Sequence, residues 1–519
     1  MNWKKPRYLW ISGIVIIPIL IFILFKQQKN RPRPVENPPT LPPWDALTDA
    51  HRHSSALHII DGNILSDLKP LPINSDLRIV FSKTLKPVAA NINAVTIFCN
   101  GEKEPLPGQS MISNDTLTFK FERKFYTNLP VENPGTTWTG LKPDSSCEVR
   151  FDPSIESDDG VKIDADNLRP RFITETNDYG IYWFNESGEY LKAGETEQRE
   201  FYDKEKPTVV FIHGLENTTS TNNFFRENPF AVRSKVIGEF NLFKTWKDQG
   251  YNIAIFYWPQ FADESDVHNA EAKVWKADSN RTDDDGNLVK MRFRRRDGTF
   301  ASSTETRSIA EIMLDDYLSA LKNDQGKGVR LIAHSLGSQV ASQFLNLLSE
   351  KIDKKQAPSK IFPQRLALLD PYFTNGDKDY LGNRWTGEVS RTYLKELNKK
   401  RDLAIEYIKS SMLSGAFIGD RNLELRAISL YVRIKPDFIS IFDQAEAHTY
   451  AYVWYLLSLG RRLRADGGGF FGAAATPFEV RTQMNMSLED AVSVWQIGGG
   501  DSANIADDRF EIRVNMCSE

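Results

Sequence analysis

From about residue 180 onward, continuous apolar runs alternate with stretches of helical period. Residues 208–212, 251–258, 329–333, 366–369 and 428–434 are short and almost wholly apolar, the pattern of strands buried on both faces of a parallel sheet. Residues 181–184 and 199–202 read as strands leading into the first of these runs. Residues 308–321 place Ile309, Ile312, Met313, Tyr317, Ala320 and Leu321 on one helical face and open with the capping-box pair Ser308 and Glu311. Residues 233–247 read as another helix, stopped by Gly250. Residues 393–413 read as a third, with Leu394, Leu397, Ala404, Ile405, Ile408 and Met412 on one side. Strands alternating with helices predict an α/β unit with a mostly parallel sheet over 179–519. Sites in such sheets form at the carboxyl ends of the strands.

Upstream the period shortens to two. Residues 77–81, 94–99, 116–121, 147–151 and 171–176 alternate or carry β-branched and aromatic residues, and Asn100-Gly101, Asn114-Asp115 and Asp159-Gly160 supply turns. This spacing predicts a small all-β sandwich over 71–178. At the N-terminus, residues 8–25 hold no charge and have the length of a membrane-spanning helix, read as an uncleaved anchor over 1–30, with a cleaved signal as the alternative. Lys4, Lys5 and Arg7 precede it and Lys26, Lys29, Arg31 and Arg33 come after it, so charge does not orient it. Pro32, Pro34, Pro38, Pro39, Pro42 and Pro43 begin a linker over 31–70 that holds the rest of the chain away from the bilayer. His51, His53 and His58 come next with no carboxylate or cysteine set beside them, and read as solvated loop residues rather than metal ligands.

Composition changes this picture little. A net charge of −4 over 519 residues, with no basic stripe among aromatics, gives no sign of nucleic-acid binding. Cys99, Cys147 and Cys517 form no CxxC pair. Cys99 and Cys147 fall in the β unit, where they are either bridged or two buried thiols.

The chemistry gathers around Ser335. It sits in Ile332-Ala-His-Ser-Leu-Gly337, between an apolar run and a helix start, with small residues at Ala333 and Gly337. A tight strand-to-helix turn of this kind exposes a serine Oγ. Serine hydrolysis needs a base, a carboxylate to orient it and donors for the oxyanion. Of seven histidines, His448 is the one C-terminal to Ser335, placed by this reading on a loop before an aromatic helix. Asp370, in Leu368-Leu-Asp-Pro371, ends a predicted strand, and Asp437 and Asp443 compete for the same role. His213-Gly214-Leu215 comes directly after the run 208–212, so the main-chain N–H groups of Leu215 and Leu336 are the expected oxyanion donors, with His213 bracing the loop.

These motifs carry two resemblances. Residues 72–82, 114–119 and 160–166 resemble bacterial Ig-like domains of surface and exported proteins, which implies an extracytoplasmic setting. Val209-Val-Phe-Ile-His-Gly214, Leu331-Ile-Ala-His-Ser-Leu-Gly337, Leu368-Leu-Asp-Pro371 and His448 with Tyr450 and Tyr452 together resemble α/β-hydrolases of the lipase/esterase kind, closest in motif order to pancreatic-type lipases. That resemblance implies an α/β-hydrolase fold with Ser335 as nucleophile, His448 as base and Asp370 as acid. It implies cleavage of a small-molecule or lipid carboxylic ester, with no metal or organic cofactor. The chain departs from the family in Ala333 for the usual glycine, a long polar insert over 259–307 and the absence of a cysteine framework. Asp283-Asp-Asp-Gly286 in that insert reads as a solvated turn rather than a calcium loop, and residues 371–427 as a cap or lid or an ordinary packing segment. Gly467-Gly-Gly-Phe-Phe-Gly472 reads as an acyl-pocket lining or a tail loop. The same triad would serve an amidase, peptidase or thioesterase, and a binding protein that kept the fold is the non-enzymatic alternative.

Overall fold

In a computed structural model, which describes residues 57–515 apart from 64–68, 87–94, 125–126, 130–138, 166–167, 196–198, 223, 225 and 415–418, the apolar runs pair with one another. Asn252–Tyr257, Thr208–Ile212, Val329–His334, Arg365–Leu369, Ala404–Lys409, Leu430–Arg433 and Val492–Gly498 lie side by side in that order and all parallel. They form the middle of a twelve-stranded sheet. Antiparallel strands extend it on both sides: Gly180–Phe184 and Tyr190–Lys192 at one, Arg509–Val514 at the other. Every residue of Thr208–Ile212 and Val329–His334 is buried, as an unbroken apolar run requires. Register pairs His334 with Leu369 and Leu369 with Ile408. The carboxyl ends of the three strands therefore finish at one edge, and the site forms there.

Helices Val267–Trp275, Ile309–Ala320, Gly337–Asp353 and Thr386–Arg401 pack together as one group. The expected capping box of the second is formed, with Ser308 Oγ accepting from Glu311 N and Glu311 accepting from Ser308 N. Phe243–Asp248 and Gln444–Leu457 meet elsewhere, where Trp246 Nε1 donates to Leu456 O at 3.3 Å.

Three expectations are corrected. Residues 233–247 are not one helix. Ala231–Ser234 and Gly238–Asn241 form a hairpin, because Ser234 Oγ accepts from Val236 N and Ile237 N, and Gly238 turns with φ of 103°. Residues 393–413 are not one helix either. Thr386–Arg401 ends at Asp402 in the left-handed region, and Ala404–Lys409 is a central strand. Ala404, Ile405 and Ile408 suit both periods; the two flanking strands decide. Residues 199–202 are a turn, and the edge strand is Tyr190–Lys192. The polar insert over 259–307 buries part of its charge in ion pairs, while Asp284, Asp285 and Gly286 are exposed as a solvated turn. Buried Glu264 joins Lys273 and Arg292, and Asp283 pairs with Arg292 at 2.5 Å.

The N-terminal unit is two antiparallel sheets. One runs Ile59–Gly62, Leu77–Phe81, Thr116–Phe121, Gly108–Ser113; the other Val95–Cys99, Ser146–Phe151, Arg171–Ile173. Phe81 meets Phe151 edge-on at 6.0 Å between them. Its first strand lies inside the stretch expected to be linker. Cys99 and Cys147 stand opposite one another in register and are bridged. Arg295 donates to Asp144 at 2.7 Å and ties this unit to the larger one. The expected anchor over 1–30, the proline-rich segment and His51 and His53 lie outside the described residues. Among the described residues no helix is long and apolar enough to cross a membrane.

Candidate active site

Ser335 stands immediately after the last residue of Val329–His334 and precedes the helix Gly337–Asp353. Its φ is 53°, a left-handed conformation that costs a non-glycine residue about 1–3 kcal/mol. Main-chain bonds hold it there: Ser335 N donates to Leu369 O at 3.0 Å, and Ser335 O accepts from Tyr372 N and Ser338 N. Two glycines make the turn possible. A Cβ on Gly337 would lie 2.5 Å from Ile212 O, and one on Gly214 would lie 2.7 Å from Ser335 Cβ. Glycine at 214 thus lets the loop after Thr208–Ile212 run directly against the serine. The Ser335 hydroxyl makes no hydrogen bond among the described residues.

The amides of Leu215 and Leu336 flank this point. Neither N–H has a hydrogen-bond partner among the described residues. The loop carrying Leu215 is pinned. Asp263 accepts from Thr218 N at 2.7 Å and Ser220 N at 2.8 Å. His213 is wholly buried and stacked on Trp258. Trp258 N donates to His213 Nε2 at 2.9 Å, so the ring proton sits on Nδ1, facing Gly214 O at 3.0 Å and Glu216 Oε1 at 3.3 Å. Burial pushes this imidazole down to about 4, so it stays neutral.

Asp370 also adopts the left-handed region, with φ of 42°. Its Oδ2 accepts from Ser410 Oγ at 2.6 Å and Ser411 N at 2.8 Å, and lies 3.4 Å from His448 Nδ1. Burial raises this carboxyl, but His448, Lys409 and Ser410 outweigh it and hold the group well below the usual carboxylate range. Asp437 is exposed, and Asp443 caps the helix Gln444–Leu457 by accepting from Glu446 N. Of the three candidate acids, Asp370 is the one brought to His448.

His448 lies in the first turns of Gln444–Leu457, not on a loop before it. Asp443 starts this helix earlier than apolar pattern alone suggested. Burial lowers the His448 imidazole, as does the neighbouring His334, while Asp370 raises it; the balance falls below the ordinary histidine value. His334, which directly precedes Ser335, has its ring 4.5 Å from that of His448. Ser410, Ser411, Glu227 and the contacts of His334 with Glu227 and His448 went unread in the sequence. Ser410 and Ser411 would have stood out only if 404–409 had been recognised as a strand ending at the same edge as Asp370.

No family model and no curated protein matches the chain. Solved structures do. An acylaminoacyl peptidase from Pyrococcus horikoshii matches with a TM-score of 0.27 at 11% identity, over 78% of this chain and 64% of that one. A poly(3-hydroxybutyrate) depolymerase from Bordetella parapertussis matches with a TM-score of 0.25 at 14% identity, over 51% and 84%. An α-2-macroglobulin from E. coli matches with a TM-score of 0.18 at 11% identity, over 26% of this chain and 7% of that chain. The chain thus spans well under half the length of that protein.

Proposed function

We propose that this chain is a serine hydrolase that cleaves carboxylic esters through an acyl-enzyme. One observation carries the reading: a serine on a strained strand-to-helix turn stands beside two unpartnered amides, at the sheet edge where Asp370 comes within 3.4 Å of His448. In the proposed reaction His448 takes the Ser335 proton as Oγ adds to the ester carbonyl. The N–H groups of Leu215 and Leu336 hold the resulting oxyanion. Collapse expels the alcohol, which receives its proton from His448, and water then repeats the sequence on the acyl group. Asp370 keeps the imidazole oriented, itself held by Ser410 and Ser411.

A fluorophosphonate probe should label the protein, and labelling should vanish in Ser335→Ala with the fold intact by circular dichroism. A wild-type protein that stays unlabelled sinks the reading. A panel of p-nitrophenyl esters, peptides and thioesters then tests the bond cleaved; turnover of peptides alone replaces the ester assignment. We also propose that residues 1–30 anchor the chain in a membrane, that residues 71–178 are an Ig-like spacer, and that the catalytic unit faces an oxidising, extracytoplasmic space. The Cys99–Cys147 bridge supports that side. Finding the two thiols free and alkylatable in freshly lysed cells would reverse it.

A further inference from the structure

His334 takes no part in the reaction as written, yet it is built into the site from three sides. It is buried. Its Nδ1 lies 3.2 Å from Glu227 Oε1 and 3.4 Å from Oε2. Its Nε2 lies 3.2 Å from the main-chain oxygen of His448. Tyr452, one helical turn beyond His448, packs edge-on against the ring at 5.0 Å.

The partners decide where protons sit. A main-chain carbonyl can only accept, so Nε2 must carry a proton to make its bond. An ionised carboxylate can only accept, so Nδ1 must carry one too. Burial raises the Glu227 carboxyl, but the charge and hydrogen bond of His334 beside it prevail and keep it below the ordinary value. Both bonds of His334 are therefore complete only in the doubly protonated ring. The other titratable groups at this corner do not compete for that role. Glu216, raised by burial, accepts from Glu227 N. Arg226 is committed to Asp178 at 2.6 Å. His213 is neutral, and Asp370 faces His448 rather than His334. Two imidazoles 4.5 Å apart cannot be charged independently, so one proton on the pair opposes the second.

We propose that His334 is a positioning residue: clamped between Glu227 and the His448 carbonyl, it takes the first proton that this histidine pair binds and leaves His448 free as the base. The idea rests on the hydrolytic reading for its purpose, but the order of protonation can be measured without turnover.

The experiment is a pH titration of the full chain labelled with 15N at histidine, resolved by nitrogen shifts. In the wild type the first proton should appear on His334. In His334→Asn, where the neighbouring cation is gone and Glu227 stays charged, the His448 midpoint should rise by about one pH unit, and the acid limb of kcat/KM should move up with it. Adding Glu227→Gln should bring the midpoint part of the way back. A first proton on His448, an unmoved or lowered midpoint in His334→Asn, or a double variant no lower than the single one overturns the proposal. If His334→Asn fails to fold, Glu227→Gln alone must lower the first midpoint of the pair, and an unchanged value is fatal. An unlabelled wild type in the fluorophosphonate assay defeats the hydrolase reading separately.

Discussion

His213 cannot take a proton on Nε2 without losing the bond from Trp258 N. Its imidazole is neutral in the fold down to about pH 4, whereas in the unfolded chain it charges near pH 6.5. Below pH 6.5 the unfolded state therefore binds the extra proton, and stability falls with pH until the folded value is reached. The loss attributable to this residue approaches about 3 kcal/mol. Urea unfolding at pH 7 and pH 4.5 should show it, and His213→Asn should flatten the difference. At the next residues the proposed oxyanion donors are main-chain atoms, so side-chain truncation is the wrong probe. Leu215→Pro removes a donor and should lower kcat about a hundredfold to a thousandfold. Leu215→Ala keeps the amide and should retain most of the activity. Equal losses in both variants would remove Leu215 from the oxyanion site.

At the scale of elements, the site is a matter of how closely a helix and two strands approach. Gly337 begins the helix after Ser335 with no room for a side chain, since a Cβ would meet Ile212 O at 2.5 Å and His213 O at 2.6 Å. Both are backbone atoms of a central strand and its loop, and neither can move alone. Gly337→Ala should destabilise the protein by about 2 kcal/mol or more, and weaken fluorophosphonate labelling because Ser335 shifts with the helix. A thermal melt beside a labelling time course checks both. The strand Ala404–Lys409 shows the reverse dependence. Its apolar positions suit a helix, but its neighbours offer backbone partners on both edges, and a buried strand with both edges paired leaves no main-chain group unsatisfied. That pairing delivers Ser410 and Ser411 to Asp370.

Across the whole molecule, two units of different architecture are joined by a β-ladder, in which Thr127–Leu129 pairs in parallel with Val232–Ser234, and by charge. Asp178, at the junction, accepts from Arg226 and Lys192, each at 2.6 Å, deep inside the protein. Asp144 of the β unit meets Arg295 on the hairpin of Phe293–Arg294 and Phe300–Ala301. The β unit has its own staple, the bridge that closes a loop of 48 residues. Chain-entropy arguments put its contribution at about 4 kcal/mol. Cys99→Ala with Cys147→Ala should lower the unfolding midpoint of the β unit. The proposed esterase activity should persist at 25 °C, because Ser335, Asp370 and His448 lie in the other unit. Loss of activity at a temperature where the variant is folded would show that the units are coupled through more than their shared surface.

Local chemistry was readable along the chain. The run into Ser335, the small residues around it, Gly214 beside a strand end, Asp370 at another and the one late histidine each arise from constraints that act within a few residues. A tight turn needs small neighbours, and a doubly buried strand needs an unbroken apolar run. Long-range partners were not readable. Whether 404–409 is helix or strand, that Ser410 and Ser411 meet Asp370, and that Glu227 reaches His334 across 107 positions depend on pairings between distant segments. Their energies arise only when strands align and water is excluded, so only the folded structure decides them.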